Sequence, residues 1–128
     1  MTPQTKSKEA EDRPKLSKDD REKLKIINSR LVKAGLQICI LKMLTEGPSH
    51  GYEIMKRARK LTKQISTSLI YNCLAELEKA GYVMGTWKHA KSTPSKKTYE
   101  ITERGEIMLD SSKNILRKIM GEFMGSKH

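Results

Sequence analysis

The sequence predicts a mainly helical fold with one small β-hairpin: a winged helix-turn-helix with an added N-terminal helix and a C-terminal dimerisation helix. Three observations carry that prediction. Residues 66–81 form a helix marked at both ends; Tyr82 to Trp87 and Lys97 to Ile101 read as paired strands around a lysine-bearing loop; Thr102-Glu103-Arg104-Gly105 opens another helix. Helix, strand, basic loop, strand, helix is the order of a winged helix.

A chain of 128 residues suffices for one small core plus an extra helix or two, and is too short for two full domains. Its 26 Lys and Arg outnumber 15 Asp and Glu, and the formal charge of +11 points to a polyanionic partner or an anionic surface. Nucleic acid is the simplest such partner. No apolar run approaches the roughly 20 residues a membrane span needs, and the first residues are polar. Neither an anchor nor a secretory signal is therefore expected, and the expected location is cytoplasmic. Cys39 and Cys73 fall at apolar positions of predicted helices without CxxC spacing, and read as small core residues of a reducing compartment.

Residues 1–16 mix Lys, Glu, Ser, Thr and Pro with almost no large apolar side chain, which predicts a flexible tail. Ser17, followed by Asp20 and then by Leu24, Ile27 and Leu31, predicts a helix start. That helix is expected over residues 18–45 with Gly35 as a candidate break, and residues 17–33 form an extension ahead of a winged-helix domain at 34–105. Its second half, Leu36 to Leu44, is apolar on nearly every side and is expected at the centre of the domain. Gly47-Pro48 stops it, because proline disfavours helical geometry at the preceding residue. Ser49 or His50 then caps a second helix whose inward face is expected to be Tyr52, Met55, Ala58 and Leu61. Lys56, Arg57, Arg59, Lys60 and Lys63 crowd positive charge beside the next helix. Singly, each is as readily a solvated lysine or arginine; together they are expected to contact phosphates.

The third helix starts at Ser66, whose hydroxyl can accept from an orphan N–H, and ends at Gly81, which suits the left-handed position after a helix. Ile70, Cys73, Leu74 and Leu77 make its buried stripe. Thr67, Ser68, Tyr71, Asn72, Ala75 and Glu76 are left on the other side, and such polar residues near a helix start can reach phosphates or base edges. Tyr71 divides evenly between packing its ring and contacting phosphate. The loop from Lys88 to Lys96 holds Lys88, His89, Lys91 and Lys96, runs on to Lys97, and contains no acid. Such a tip suits the DNA backbone or the minor groove. His89 is not read as a metal ligand, since His50 and His128 do not give ligand spacing.

A last helix is expected from Thr102 to about Phe123, and residues 106–128 form a C-terminal dimerisation helix with a short tail. Leu109, Leu116 and Phe123 repeat every seven residues, and Ile115, Ile119 and Met120 widen the stripe. With Leu24, Ile27 and Leu31 at the other end, burial of both stripes across a two-fold axis is expected; packing back on its own domain is the alternative.

Three segments resemble the PadR family of winged-helix transcription regulators. Leu41 to Ile54, with Gly47-Pro48-Ser49-His50-Gly51-Tyr52-Glu53, is similar to that family's leucine-rich helix and its Gly-Pro-x-His-Gly-Tyr-Glu motif. Leu69-Ile70-Tyr71 with Leu74, Leu77, Glu78 and Gly81 is similar to its recognition helix; Pro94, Lys97, Tyr99, Ile101, Thr102 and Gly105 match its wing and last-helix start. The resemblance covers roughly residues 36–110. It implies a dimeric DNA-binding repressor that recognises an inverted repeat, with the C-terminal helix forming much of the dimer contact. It also brings in a small aromatic effector as a candidate partner, although Trp87 and Phe123 do not by themselves assign one. Asn72 departs from the family, which usually has proline after the tyrosine, and the N-terminal stretch is longer than usual.

The expected function is thus sequence-specific regulation of transcription on double-stranded DNA. The alternative is an architectural protein that coats DNA without specificity, favoured by the low cationic character of the recognition helix. No Gly-rich phosphate loop, metal cluster or Ser/His/acid set appears in the sequence, so neither catalysis nor a cofactor is expected.

Overall fold

The computed structural model describes residues 14–90 and 93–125, with the backbone alone described at 89, 90 and 93–95. Most of the expected tail lies outside the described residues. Two compact units part after Leu31. Helix α1 spans Lys18–Leu44. Ser17 starts it as the sequence predicts, its Oγ accepting from the Asp20 amide at 3.0 Å, with Asp19 and Asp20 in the positive first turn. Within the first unit, Leu24, Ile26, Ile27 and Leu31 are exposed.

In the second unit, Gly35 does not break α1, which stays helical to Leu44. Leu36, Ile40, Leu41, Met43 and Leu44 of this helix are buried, as the density of apolar residues there predicts. Gly47 turns the chain into β1, Ser49–His50, followed by α2, Gly51–Arg59. His50 is the residue before α2, yet its side chain caps nothing; its Nδ1 lies 3.1 Å from Thr98 Oγ1 instead. The extended Ser49–His50 pair is claimed by strand β3, Thr93–Ile101, a pairing across nearly fifty residues of chain. The inward face of α2 is Gly51, Ile54 and Ala58, whereas Tyr52 and Leu61 are exposed. The expected face was rotated because Ile54, not Tyr52, meets the core.

Helix α3, Thr67–Lys79, is bounded as the sequence predicts. Ser66 Oγ accepts from the Leu69 amide at 3.1 Å. At the other end Tyr82 N–H donates to Leu77 O and Gly81 N–H to Glu78 O around Gly81 at φ 85°, the paired bonds of a Schellman motif. Ile70, Cys73, Leu74 and Leu77 are all buried. Burial also pushes the Cys73 thiol above its ordinary pKa, with the Glu76 carboxylate adding to the effect, which suits a packing role.

Strands β2, Val83–Ala90, and β3, Thr93–Ile101, complete an antiparallel sheet in the order β1-β3-β2. Most of what the sequence presented as a loop is strand: Trp87 pairs with Lys97, Lys88 with Lys96 and Ala90 with Thr93, and an irregularity follows Lys88. Polar composition hid this ladder, which is made by backbone groups. Pro94 lies beyond the two residues of β3 that β1 covers, where a strand edge tolerates a missing N–H.

Helix α4, Glu103–Lys118, ends in a π-helical turn, Ile119–Phe123. Thr102 caps it, Oγ1 accepting from the Gly105 amide at 3.1 Å and donating to Gly81 O at 2.7 Å. Leu109 is a correction to the dimerisation stripe: it is 3% exposed and packs in its own core. The clamp at Thr102 holds the first turns of α4 on the domain, so the heptad pattern leaves the core only after Leu109. Ile115, Leu116, Ile119 and Phe123 are exposed, Phe123 at 80%. Among the described residues, no helix is long and apolar enough to cross a membrane.

Candidate nucleic-acid interface

Because Ile70, Cys73, Leu74 and Leu77 turn inward, helical periodicity turns Thr67, Ser68, Tyr71 and Asn72 outward, and all four are exposed. Ser66 is exposed too, with its hydroxyl engaged as the cap. The two acids on the outer and last turns of α3 are both neutralised by neighbouring elements: Glu76 by Lys33 at 3.1 Å, and Glu78 by Lys97 at 2.7 Å. Carboxylates that would repel phosphate are thereby compensated inside the protein.

The start of α2, the outer side of α3 and the base of the wing meet at one cleft of about 510 Å³. Tyr52, Tyr71, Trp87 and Tyr99 line it together with His50, Lys96 and Lys97. Lys56 reaches the same neighbourhood, its ammonium 5.5 Å from the centroid of the Tyr52 ring, a cation–π distance. The Tyr71 ring edge covers Gly51, as its packing reading expects, and the residue stays 41% exposed. Tyr99 is buried, and that burial pushes its phenol above the ordinary pKa.

Of the cations expected to meet phosphate, Lys56, Lys60, Lys63, Lys88 and Lys96 are exposed, and none has an ion pair among the described residues. Lys88 and Lys96 stand directly opposite each other across the hairpin, an arrangement of like charges that disfavours the bare hairpin and favours an anion. Arg57 is different: it pairs with Glu46 at 3.2 Å. Lys97 is different again, since its hydrogen bond to Glu78 holds it above the ordinary lysine pKa and turns the ammonium into the protein. Lys91 lies outside the described residues, and His89 is placed only by its backbone in β2.

Sequence reasoning missed Tyr52, Trp87, Tyr99 and Glu78 as parts of this surface. Only strand register brings Trp87 opposite Lys97 and Gly85 opposite Tyr99, on one face of the sheet. The period-two pattern of residues 97 and 99 was the available signal.

The sequence profile of the transcriptional regulator PadR-like family matches residues 40–111, which span α2, α3, the wing and the first half of α4. The chain belongs to that family. Solved structures of PadR-like regulators share its fold. One from Bacillus cereus is 26% identical, with a TM-score of 0.64 over 75% of this chain and 94% of that one. One from Bacteroides fragilis is 19% identical, with a TM-score of 0.67 over 77% and 96%. A third, from hypervirulent Clostridium difficile, is 24% identical, with a TM-score of 0.59 over 70% and 97%. The last two show likeness of fold alone. No curated protein sequence matches the chain. This PadR-like chain is a DNA-binding regulator of transcription with a winged-helix fold.

Proposed function

We propose that this PadR-like protein acts as a homodimeric repressor on an inverted-repeat operator, with α3 in the major groove and the wing on the backbone or in the minor groove. The observation that carries the reading is the outer side of α3. Thr67, Ser68 and Asn72 are exposed and polar there, the acids of the helix are ion-paired, and lysines with no ion pair among the described residues flank it on α2 and the wing. Polar groups on a helix read base edges while the surrounding lysines supply sequence-independent attraction.

Asn72 is the residue most suited to discrimination, since an exposed amide can pair with adenine N6 and N7. Asn72→Ala is expected to change the ranking of binding sites by about 1–3 kcal/mol at one base pair. Selection of duplexes from a random pool, followed by footprinting at two salt concentrations, tests the whole reading. A discrete two-fold footprint is expected, with half-site centres about 34–36 Å apart or a multiple of that. Continuous coverage would favour the coating protein instead, a reading supported by α3 carrying Lys79 as its single cation.

The dimer part rests on Ile115, Leu116, Ile119 and Phe123, together with Leu24, Ile27 and Leu31, apolar residues that water contacts in the single chain. Phe123→Asp with Ile119→Asp is expected to convert a dimer into a monomer in sedimentation at micromolar concentration, with little loss of helical signal. A wild-type monomer under the same conditions would remove the homodimer from the proposal.

A further inference from the structure

Lys97 and Glu78 form the least exposed ion pair among the described residues, at 24% and 33% side-chain exposure. Glu78 lies near the end of α3, and Lys97 lies on β3 beside Lys96. The ammonium also sits 5.6 Å from the centroid of Trp87 and 5.3 Å from that of Tyr99, so aromatic faces from both wing strands enclose it. Gly85 opens the route. A Cβ at that position would collide with Lys97 Cε and stand 2.9 Å from Glu78 Oε2. One helix and two strands thus converge on a single lysine, and the strand position it crosses has no side chain.

We propose that Lys97 is a positioning residue: through Glu78 it sets the wing against the recognition helix, and it does not itself contact DNA. This rests on the regulator reading above. The wing is a two-stranded ribbon beyond the point where β1 pairs with β3, and such ribbons twist and slide readily. Lys96 is the next residue along β3 and Lys88 is its cross-strand partner, so any pivot at Lys97 moves both cations relative to Thr67 and Asn72. An anchor there turns a mobile basic hairpin into one that meets the backbone at a set distance from the bases being read. Its consequence is specificity, the ratio of preferred to random DNA, more than bulk affinity.

The sign of one substitution separates this role from direct contact. If Lys97 touched phosphate, Glu78→Gln would free it and remove a competing carboxylate, raising or preserving binding to the preferred site. If Lys97 positions the wing, Glu78→Gln lowers the ratio although it makes the protein more positive. Duplexes selected from a random pool by the full chain come first; a wild type with no preferred sequence would overturn the regulator reading before any variant is made. Fluorescence anisotropy on preferred and random duplexes then compares wild type, Lys97→Met, Glu78→Gln and the double variant. Each single change is expected to lower the ratio about tenfold, and the double change to lower it no further, the signature of a coupled pair.

A ratio that Glu78→Gln leaves or raises while Lys97→Met lowers it would overturn the proposal, as would losses that multiply in the double variant. Should Lys97→Met fail to fold by circular dichroism, Glu78→Gln and Lys97→Arg carry the test, the second staying within about twofold of wild type. A merely structural role is separated by Lys88→Ala. Its loss on the preferred duplex is expected to be smaller in the Glu78→Gln background than in the wild type; equal losses would overturn positioning.

Discussion

Gly105→Ala is expected to lower the free energy of unfolding by about 2 kcal/mol, although alanine is the better helix former. Propensity alone favours alanine by about 1 kcal/mol in a helix. Against it, a Cβ on Gly105 would run into the Tyr82 carbonyl and stand 2.7 Å from Ile101 Cγ1. Overpacking of this kind costs roughly 3 kcal/mol at its upper range, so the clash prevails. Relief by a small shift is blocked because the obstacle is backbone. The Tyr82 carbonyl accepts from the Thr102 amide at 3.1 Å, and Thr102 Oγ1 holds the Gly81 carbonyl at 2.7 Å. The start of α4 is thereby bolted to the turn between α3 and β2. Gly35→Ala supplies the internal control. Gly35 is also helical, with nothing within 4 Å of its added Cβ, so that change is expected to stabilise by about 0.5–1 kcal/mol. Urea unfolding of both variants checks the pair; equal signs would mean that the Tyr82 carbonyl does not constrain α4.

The second large effect is electrostatic. Changing Lys56, Lys88 and Lys96 together to alanine is expected to lower the slope of log affinity against log salt by about 2.7, at roughly 0.9 per phosphate released. Across the fourfold change from about 50 to 200 mM salt, that removes roughly a 40-fold dependence. Operator and random DNA should suffer alike, since phosphate contacts carry no sequence information. Stability should hold: all three side chains are exposed, and removing the opposed Lys88 and Lys96 relieves a like-charge pair. A salt series by anisotropy decides it. An unchanged slope would mean that these lysines face solvent in the complex. An Asn72 variant should do the reverse, changing the ranking of sites and leaving the slope in place.

Local chemistry was the part of the fold most legible in the sequence. Ser17, Ser66, Thr102 and Gly81 mark helix ends because their side chains, or the lack of one, satisfy orphan backbone groups within four residues of chain. The buried stripe of α3 was legible for the same reason, since a period of 3.6 puts its members on one side whatever surrounds them. The exposed stripe Ile115, Leu116, Ile119 and Phe123 was legible as a pattern, but Leu109 shared that pattern and not that fate. Spacing along a helix does not say where the helix leaves the core.

What the residues alone determined was a basic winged helix with a polar outer face on α3: element order, caps, the α3 stripe and a surplus of lysine all follow from neighbours in sequence. The long hairpin, the β1 pairing, the turned face of α2 and the aromatic cleft needed contacts between distant segments. Lys97 is the sharpest instance. In the sequence it is one more cation, at the strand start that follows an acid-free loop; in the fold it meets Glu78, nineteen positions away, across the gap left by Gly85. Charge is a property of a residue, whereas the partner of a charge is set by backbone register and close approach, and these exist only once the chain has packed.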